Sequence, residues 1–279
     1  MQVFSTFLIY FTVILLTFTS CVGQEKTNAL QVGNVVKPIT IKNQNSTDLK
    51  VKLLMHFYKD IDTIKENRIF FKDGKSIIYN DNKEKNIEGL LEYPDIEDQY
   101  HYLYNLSNDN SLNTDAGRIR NEDFFKRIYG SSSAEVQKNL VSIVWCPSLV
   151  NQRIQVTKKC GVDDSLKKVS LALDKHPEWK KYLTAVGGTF NWRKISGTSR
   201  LSAHSFGMTI DINSSHSNYW QWDCSCIDET KKLSYRNSIP LEIVEIFEKY
   251  GFIWGGKWVH YDTMHFEFRP ELTKYNNNQ

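Results

Sequence analysis

The chain has 279 residues, 41% hydrophobic and 24% charged, and its 35 Lys and Arg against 32 Asp and Glu leave a formal net charge of +3. This composition excludes a disordered tail and a membrane-embedded bundle, and the near balance of charge excludes a dedicated nucleic-acid binder, whose surface must be densely basic to displace counterions. A chain of this length forms one sizeable core, alone or with a smaller accessory region.

No charged residue precedes Glu25, and Val3 to Ser20 is rich in Leu, Ile, Val and Phe, so residues 1–20 read as a secretory signal segment. The run ends in Phe18-Thr19-Ser20-Cys21, where small residues before a cysteine resemble a bacterial lipobox. The expectation is cleavage before Cys21 and lipidation of that residue. An uncleaved single-span anchor or an ordinary signal peptide is the alternative, because about 20 apolar residues cross a bilayer. Every version exports the rest of the chain to the bacterial cell envelope, and the first two leave it bound to the membrane. Residues 21–49 are polar and rich in Asn, Lys and Thr, as suits a tether.

Residues 50–114 read as an accessory region. Within it Ile69 to Tyr79 places two β-prone runs around Asp73-Gly74, a hairpin signal, and a loop rich in Asn, Ser and Asp follows between Asn105 and Thr114. The main domain is expected over 115–275. Asn121 to Tyr129 reads as a short helix with Phe124, Phe125 and Ile128 on one side. Strands are expected at Val141–Trp145, Gln152–Thr157, Gly188–Ile195, Met208–Ile212 and His265–Phe268. Helices are expected at Asp164–Leu173, capped by Asp163 or Asp164, and at Pro240–Tyr250, opening at proline and stopping at Gly251. The fold class is α+β: a small antiparallel sheet flanked by helices, with a metal site on one sheet face. No internal repeat is present, and the tail from Lys274 is polar.

Five cysteines form an odd set, one at position 21 and four beyond residue 145. In an oxidising compartment Cys146, Cys160, Cys224 and Cys226 read as disulfide formers. Cys146 and Cys160 each follow a predicted strand of one hairpin, so they are the expected pair; closing that loop would stabilise by about 3 kcal/mol in the chain-entropy model. Cys224 and Cys226 could join only as a tight ring.

Two stretches concentrate candidate ligands: Ser202-Ala203-His204-Ser205-Phe206-Gly207-Met208-Thr209-Ile210-Asp211 and His260-Tyr261-Asp262-Thr263-Met264-His265-Phe266-Glu267. Two imidazoles and one carboxylate suit Zn²⁺, with a fourth position left for water, although Mn²⁺ or Co²⁺ suits the same set. Strand alternation lets Asp211 and His265 share one sheet face while Ile210, Ile212, Phe266 and Phe268 enter the core.

These stretches, with Thr189 to Thr198 before them and Trp254-Gly255-Gly256-Lys257-Trp258 between them, resemble the zinc D-alanyl-D-alanine carboxypeptidase and L-alanyl-D-glutamate endopeptidase family. The shared pattern is Ser-x-His-x-x-Gly-x-x-x-Asp followed by Asp/Glu-x-x-His. The resemblance implies that His204, Asp211 and His265 bind zinc and that Asp262 is the general base. It also places Arg193 toward the substrate, to bind a carboxylate or stabilise the oxyanion, with Arg200 the competing candidate. Ser202 is expected to hydrogen-bond near His204, Gly207 to permit close backbone approach, and Trp258 to wall the cleft. His260 would donate to the reacting oxygen or orient Asp262, and His216 would sit at the rim.

The implied activity is zinc-dependent hydrolysis of a peptide bond in peptidoglycan stem peptides, of the carboxypeptidase type. An L-alanyl-D-glutamate endopeptidase is the alternative. A non-catalytic zinc-containing wall-binding module, as in the hedgehog signalling domain of similar fold, is the alternative from another class. Oligomeric state is not legible.

Overall fold

The computed structural model describes residues 44–107 and 114–276, all within one unit spanning 42–279. The segment expected to be a signal, Cys21 and most of the segment expected to be a tether lie outside the described residues. Helix α1 (Gln44–Phe57) reaches back into the end of the segment read as tether. Strands β1 (Ile61–Lys65), β2 (Arg68–Phe71) and β3 (Ser76–Ile78) then form an antiparallel sheet in that order. The β2–β3 turn lies at Asp73-Gly74, as the sequence indicates: the Lys75 amide donates to Asp73 Oδ1 at 3.2 Å, and Gly74 takes a left-handed φ of +81°. Alternation buries Ile69 and Phe71.

This region packs into the same apolar core as the remainder. Leu54, Tyr58 and Ile69 join one cluster with Phe124, Trp145 and Phe266. Polar ties cross it as well: the Tyr58 hydroxyl donates to Glu271 at 2.8 Å, and that of Tyr104 donates to buried Glu248. After a short helix α2 (Ile87–Glu92), helix α3 (Glu122–Tyr129) begins where Asn121 Oδ1 accepts the Phe124 amide at 2.8 Å, and it buries Phe124, Phe125, Ile128 and Tyr129.

Helix α4 (Ser133–Gln137) leads into an antiparallel hairpin of β4 (Leu140–Trp145) and β5 (Gln152–Thr157), paired from Trp145↔Gln152 at the turn to Leu140↔Thr157 at the open end. This register overturns the expected Cys146–Cys160 disulfide. Cys146 follows Trp145 at the turn, whereas Cys160 lies beyond Thr157 at the other end, on the order of 20 Å away along six residues of strand. A disulfide requires Cα atoms within about 7 Å. The structure instead joins Cys224 to Cys226 and leaves Cys146 and Cys160 as thiols. The Cys146 thiol turns toward the Ser170 carbonyl of helix α5 (Val162–Leu173).

Helix α5 buries Val162, Leu166, Val169, Ser170 and Leu173. Neither Asp163 nor Asp164 caps it: the preceding position is Gly161 in a left-handed conformation, and both aspartates lie in the first turn, where they suit the helix dipole. A one-turn helix α6 (Lys180–Leu183) follows. Residues 188–195, expected to form a strand, do not. Their backbone wraps the turn around His204 instead, with the Asn191 amide donating to the His204 carbonyl at 3.1 Å and the Arg193 amide to Ser205 Oγ at 3.0 Å. Hydrogen bonds spent on that turn are not free for a ladder.

The last sheet positions the site. Strands β6 (Thr209–Asp211), β7 (Phe252–Trp254) and β8 (His265–Phe268) are antiparallel in the order β6-β8-β7. Between β6 and β7 the chain forms helices α7 (Trp220–Cys224) and α8 (Leu241–Lys249), and α9 (Pro270–Asn276) follows β8. Helix α8 stops at Gly251, with φ +89°, and sets Ile243, Val244 and Phe247 under the sheet. Phe247 stacks on Phe266 with centroids 3.7 Å apart. The apolar face of β6 and β8 is thereby fixed inward, which forces Asp211, His265 and Glu267 onto the opposite face. The fold is the expected α+β class with small antiparallel sheets among helices.

Candidate metal centre

His204 lies in a 3-10 turn, Ala203–Phe206, capped by Ser202, whose Oγ accepts the His204 amide at 3.4 Å. The turn closes on Gly207 in the left-handed region, and a Cβ there would meet Leu140 Cδ2 of β4 at 2.8 Å and the Thr157 nitrogen of β5 at 3.4 Å, so the open end of the hairpin and the turn approach closely at a backbone conformation that favours glycine. Asp211 ends β6 and His265 opens β8, and the two are directly opposed in register. Asp211 Oδ2 is 3.1 Å from His204 Nε2, and its Oδ1 is 3.0 Å from His265 Nδ1. One ligand atom from each of the three residues falls within 4.8 Å of the others. Both histidines are buried.

The electrostatics favour positive charge between these groups. Burial alone would raise the Asp211 pKa, but the His204 and His265 imidazoles outweigh it and hold the carboxyl well below its usual range. Burial opposes charging of His265, yet Asp211 and Glu267 push its pKa up to about 10. Asp262 is the converse case. Burial and then the nearby Asp211 carboxylate push its pKa up to about 7, against the opposing pull of His265. Its Oδ1 is buried with no hydrogen-bond partner. An orphaned carboxylate oxygen beside two imidazoles and a carboxylate is a donor set that fits a divalent cation.

Glu267, two residues along the same face of β8, is fully buried, with Oε2 3.5 Å from His265 Nε2, on the side of the ring away from Asp211. It also pairs with Arg120 at 2.9 Å and Arg269 at 3.2 Å. This is the placement of a carboxylate that orients an imidazole ligand. Motif spacing alone does not reveal this role, although the two-residue alternation from His265 is its signal.

The trio opens into a cleft of about 370 Å³ whose walls include Arg118, Arg193, Arg200, Trp222, Trp258 and Asp262. Residues 196–268 match the family model described as D-alanyl-D-alanine carboxypeptidase. That match supports the resemblance to this family over the matched segment. No curated protein and no solved structure matches the chain. The matched segment contains the three ligand candidates and Asp262, and the match supports a peptidase acting on peptidoglycan.

The other expected residues are distributed around this segment. Arg193 is exposed at the cleft, where its Nη1 donates to the Lys194 carbonyl at 3.3 Å. Trp258 packs 5.6 Å from the His265 ring and donates its indole N–H to the Ala116 carbonyl. His260 is held away from Asp262: Nδ1 is 2.8 Å from Asp115 Oδ2, and Nε2 is 3.0 Å from the Glu229 carbonyl. Burial opposes its charging, but the Asp115 carboxylate prevails and raises its pKa. His216 contacts Tyr182 and does not line the cleft. No helix among the described residues is long and apolar enough to cross a membrane.

Proposed function

We propose that the chain is an exported zinc peptidase of the bacterial cell envelope that hydrolyses a peptide bond in peptidoglycan stem peptides, of the D-alanyl-D-alanine carboxypeptidase type. The observation that carries this reading is the convergence of His204, Asp211 and His265 at the floor of a cleft, with the unpartnered Oδ1 of Asp262 beside them. His204, Asp211 and His265 would hold the zinc ion, which would supply an activated water and a Lewis acid for the substrate carbonyl. Asp262 takes a proton from the attacking water and returns it to the leaving amine, two roles suited to a buried carboxyl with an unpartnered oxygen beside the metal ligands. Arg193, at the open lip, donates to the developing oxyanion. Glu267 fixes the tautomer and orientation of His265. His260, held by Asp115 and Glu229, orders the wall around Arg118. Lipidation at Cys21 would set the domain at the membrane, within reach of its substrate.

Incubation of the zinc-loaded chain with defined muropeptides, followed by mass analysis of the fragments, tests this directly. Loss of a terminal D-Ala is expected. Cleavage after L-Ala would move the assignment to the endopeptidase branch, and intact substrate with zinc bound would reject hydrolysis. Asp262→Ala should remove turnover while zinc stoichiometry is retained; persisting activity would reject the base assignment. Detergent partitioning of Cys21→Ser reports on the lipid anchor.

A further inference from the structure

One wall of the metal cleft is built by α7 and the chain that leaves it. Trp220, Gln221 and Trp222 line the cleft from the helix, and Glu229 lines it from beyond the helix end. Between these two contributions lies the Cys224–Cys226 disulfide. Residues 225–238 form no helix or strand and bury none of their side chains; Ile227 is 85% exposed. A segment with so little apolar burial has low local stability. Polar ties hold this strap in place. Glu229 pairs with Arg118 at 2.8 Å, and its carbonyl lies 3.0 Å from His260 Nε2. The Tyr261 hydroxyl donates to the Ser234 carbonyl at 3.1 Å, and Ser238 Oγ donates to Asn218 Oδ1 at 3.0 Å.

The disulfide opens the strap and closes a ring of only three residues. Chain-entropy stabilisation grows with the length of the loop closed, so a ring this small contributes little to the fold as a whole. Its effect is local. Ser225, inside the ring, holds a left-handed φ of +49°, which a residue with a side chain rarely adopts unless its surroundings impose it. The ring thus fixes the direction in which the chain leaves α7, and with it the approach of Glu229 to Arg118. Cys224 and Cys226 are each partly exposed, and exposed disulfides are the ones most open to exchange. Cys146 and Cys160 do not serve as the attacking thiol: burial above all pushes both up to about 12, which leaves little thiolate.

We propose that Cys224–Cys226 is a thiol–disulfide exchange site that controls the wall of the cleft, opened by an external dithiol. One thiolate of the dithiol attacks a sulfur of the pair, its second thiolate resolves the mixed disulfide, and two electrons and two protons pass to Cys224 and Cys226 as the dithiol becomes a disulfide. With the ring closed, residues 225–238 stand against Arg118, His260 and Tyr261, and the wall is formed. With the ring open, Ser225 relaxes out of the left-handed region, the strap detaches, and the cleft loses Glu229 and the fixed position of Trp222. The exchange site rests on the geometry of the strap; its consequence for turnover rests on the peptidase reading.

Limited proteolysis reads the strap without reference to hydrolysis of a muropeptide. Lys231 and Lys232 are exposed within it. The full chain is treated with trypsin as isolated, and again after reduction by dithiothreitol, capping with iodoacetamide and desalting, and the fragments are identified by mass. Cleavage after Lys231 or Lys232 is expected to be about 10- to 20-fold faster in the reduced chain, the factor that the chain-entropy relation gives for a ring of three residues. The full chain carrying both Cys224→Ser and Cys226→Ser should be cleaved at the faster rate with or without dithiothreitol, which separates ring opening from removal of metal by the dithiol. Urea unfolding checks that this variant folds; if it does not, the capped wild-type chain decides. On a muropeptide the variant should show a KM several-fold higher with kcat changed less. Equal strap cleavage in oxidised and reduced wild-type chains would overturn the proposal, as would a freed strap with KM unchanged. A strap freed by reduction in a chain that hydrolyses no muropeptide in either form would reject the peptidase reading and uphold the exchange site.

Discussion

Replacing Glu267 by Gln removes one negative charge from a fully buried position while retaining the shape of the side chain. Burial raises the pKa of this carboxyl, but Arg120, His265 and Arg269 together bring it from 4.5 down to about 2. At 1.36 kcal/mol per pKa unit, that difference corresponds to about 3 kcal/mol of stability at neutral pH. The figure agrees with the roughly 3–5 kcal/mol lost when one partner of a buried ion pair is removed. The sign follows from the lowered pKa: the contribution is fully present above about pH 4.5 and is lost as pH falls toward 2. Urea unfolding of the chelated wild-type and Glu267→Gln chains at several pH values measures it. The variant should be less stable by about 3 kcal/mol at pH 7, about 6–12 °C in Tm for a domain of this size, and the two curves should converge near pH 2. Zinc affinity, read by chelator competition at pH 7, should fall about 10- to 100-fold as the His265 imidazole loses its anionic partner. A stability gap independent of pH would refute the ion-pair account, and unchanged zinc affinity would refute the orienting role.

Other expectations concern the core and the cysteines. Phe247→Ala removes a fully buried ring stacked on Phe266 beneath the metal-bearing strands, and should cost about 3–5 kcal/mol in denaturant unfolding. A loss below about 1 kcal/mol would mean that the sheet does not rest on this contact. Alkylation of the unreduced, denatured chain should label Cys146 and Cys160 and spare Cys224 and Cys226; the opposite pattern, read by peptide mass mapping, would restore the hairpin disulfide.

The sequence by itself determined the local chemistry. Asp211 and His265 lie in alternating runs whose apolar members must face the core, so their side chains had to share the opposite face, and Asn121, Gly251 and Asp73-Gly74 marked element ends through backbone preferences that act within a few residues. What joins distant segments was decided only by the tertiary structure. The β4–β5 register separated Cys146 from Cys160, because a hairpin brings the end of one strand to the start of the next and not to its end. Residues 188–195 have strand-like composition, but their amides found acceptors in the His204 turn, and a backbone group satisfied once does not form a ladder. Arg118 and Arg120 carry no motif. Only the docking of the segment after Thr114 against Trp258 and Val259 brought them to the cleft and Arg120 to Glu267, because ion pairs across such sequence separations depend on where the chain folds back and leave no periodic trace.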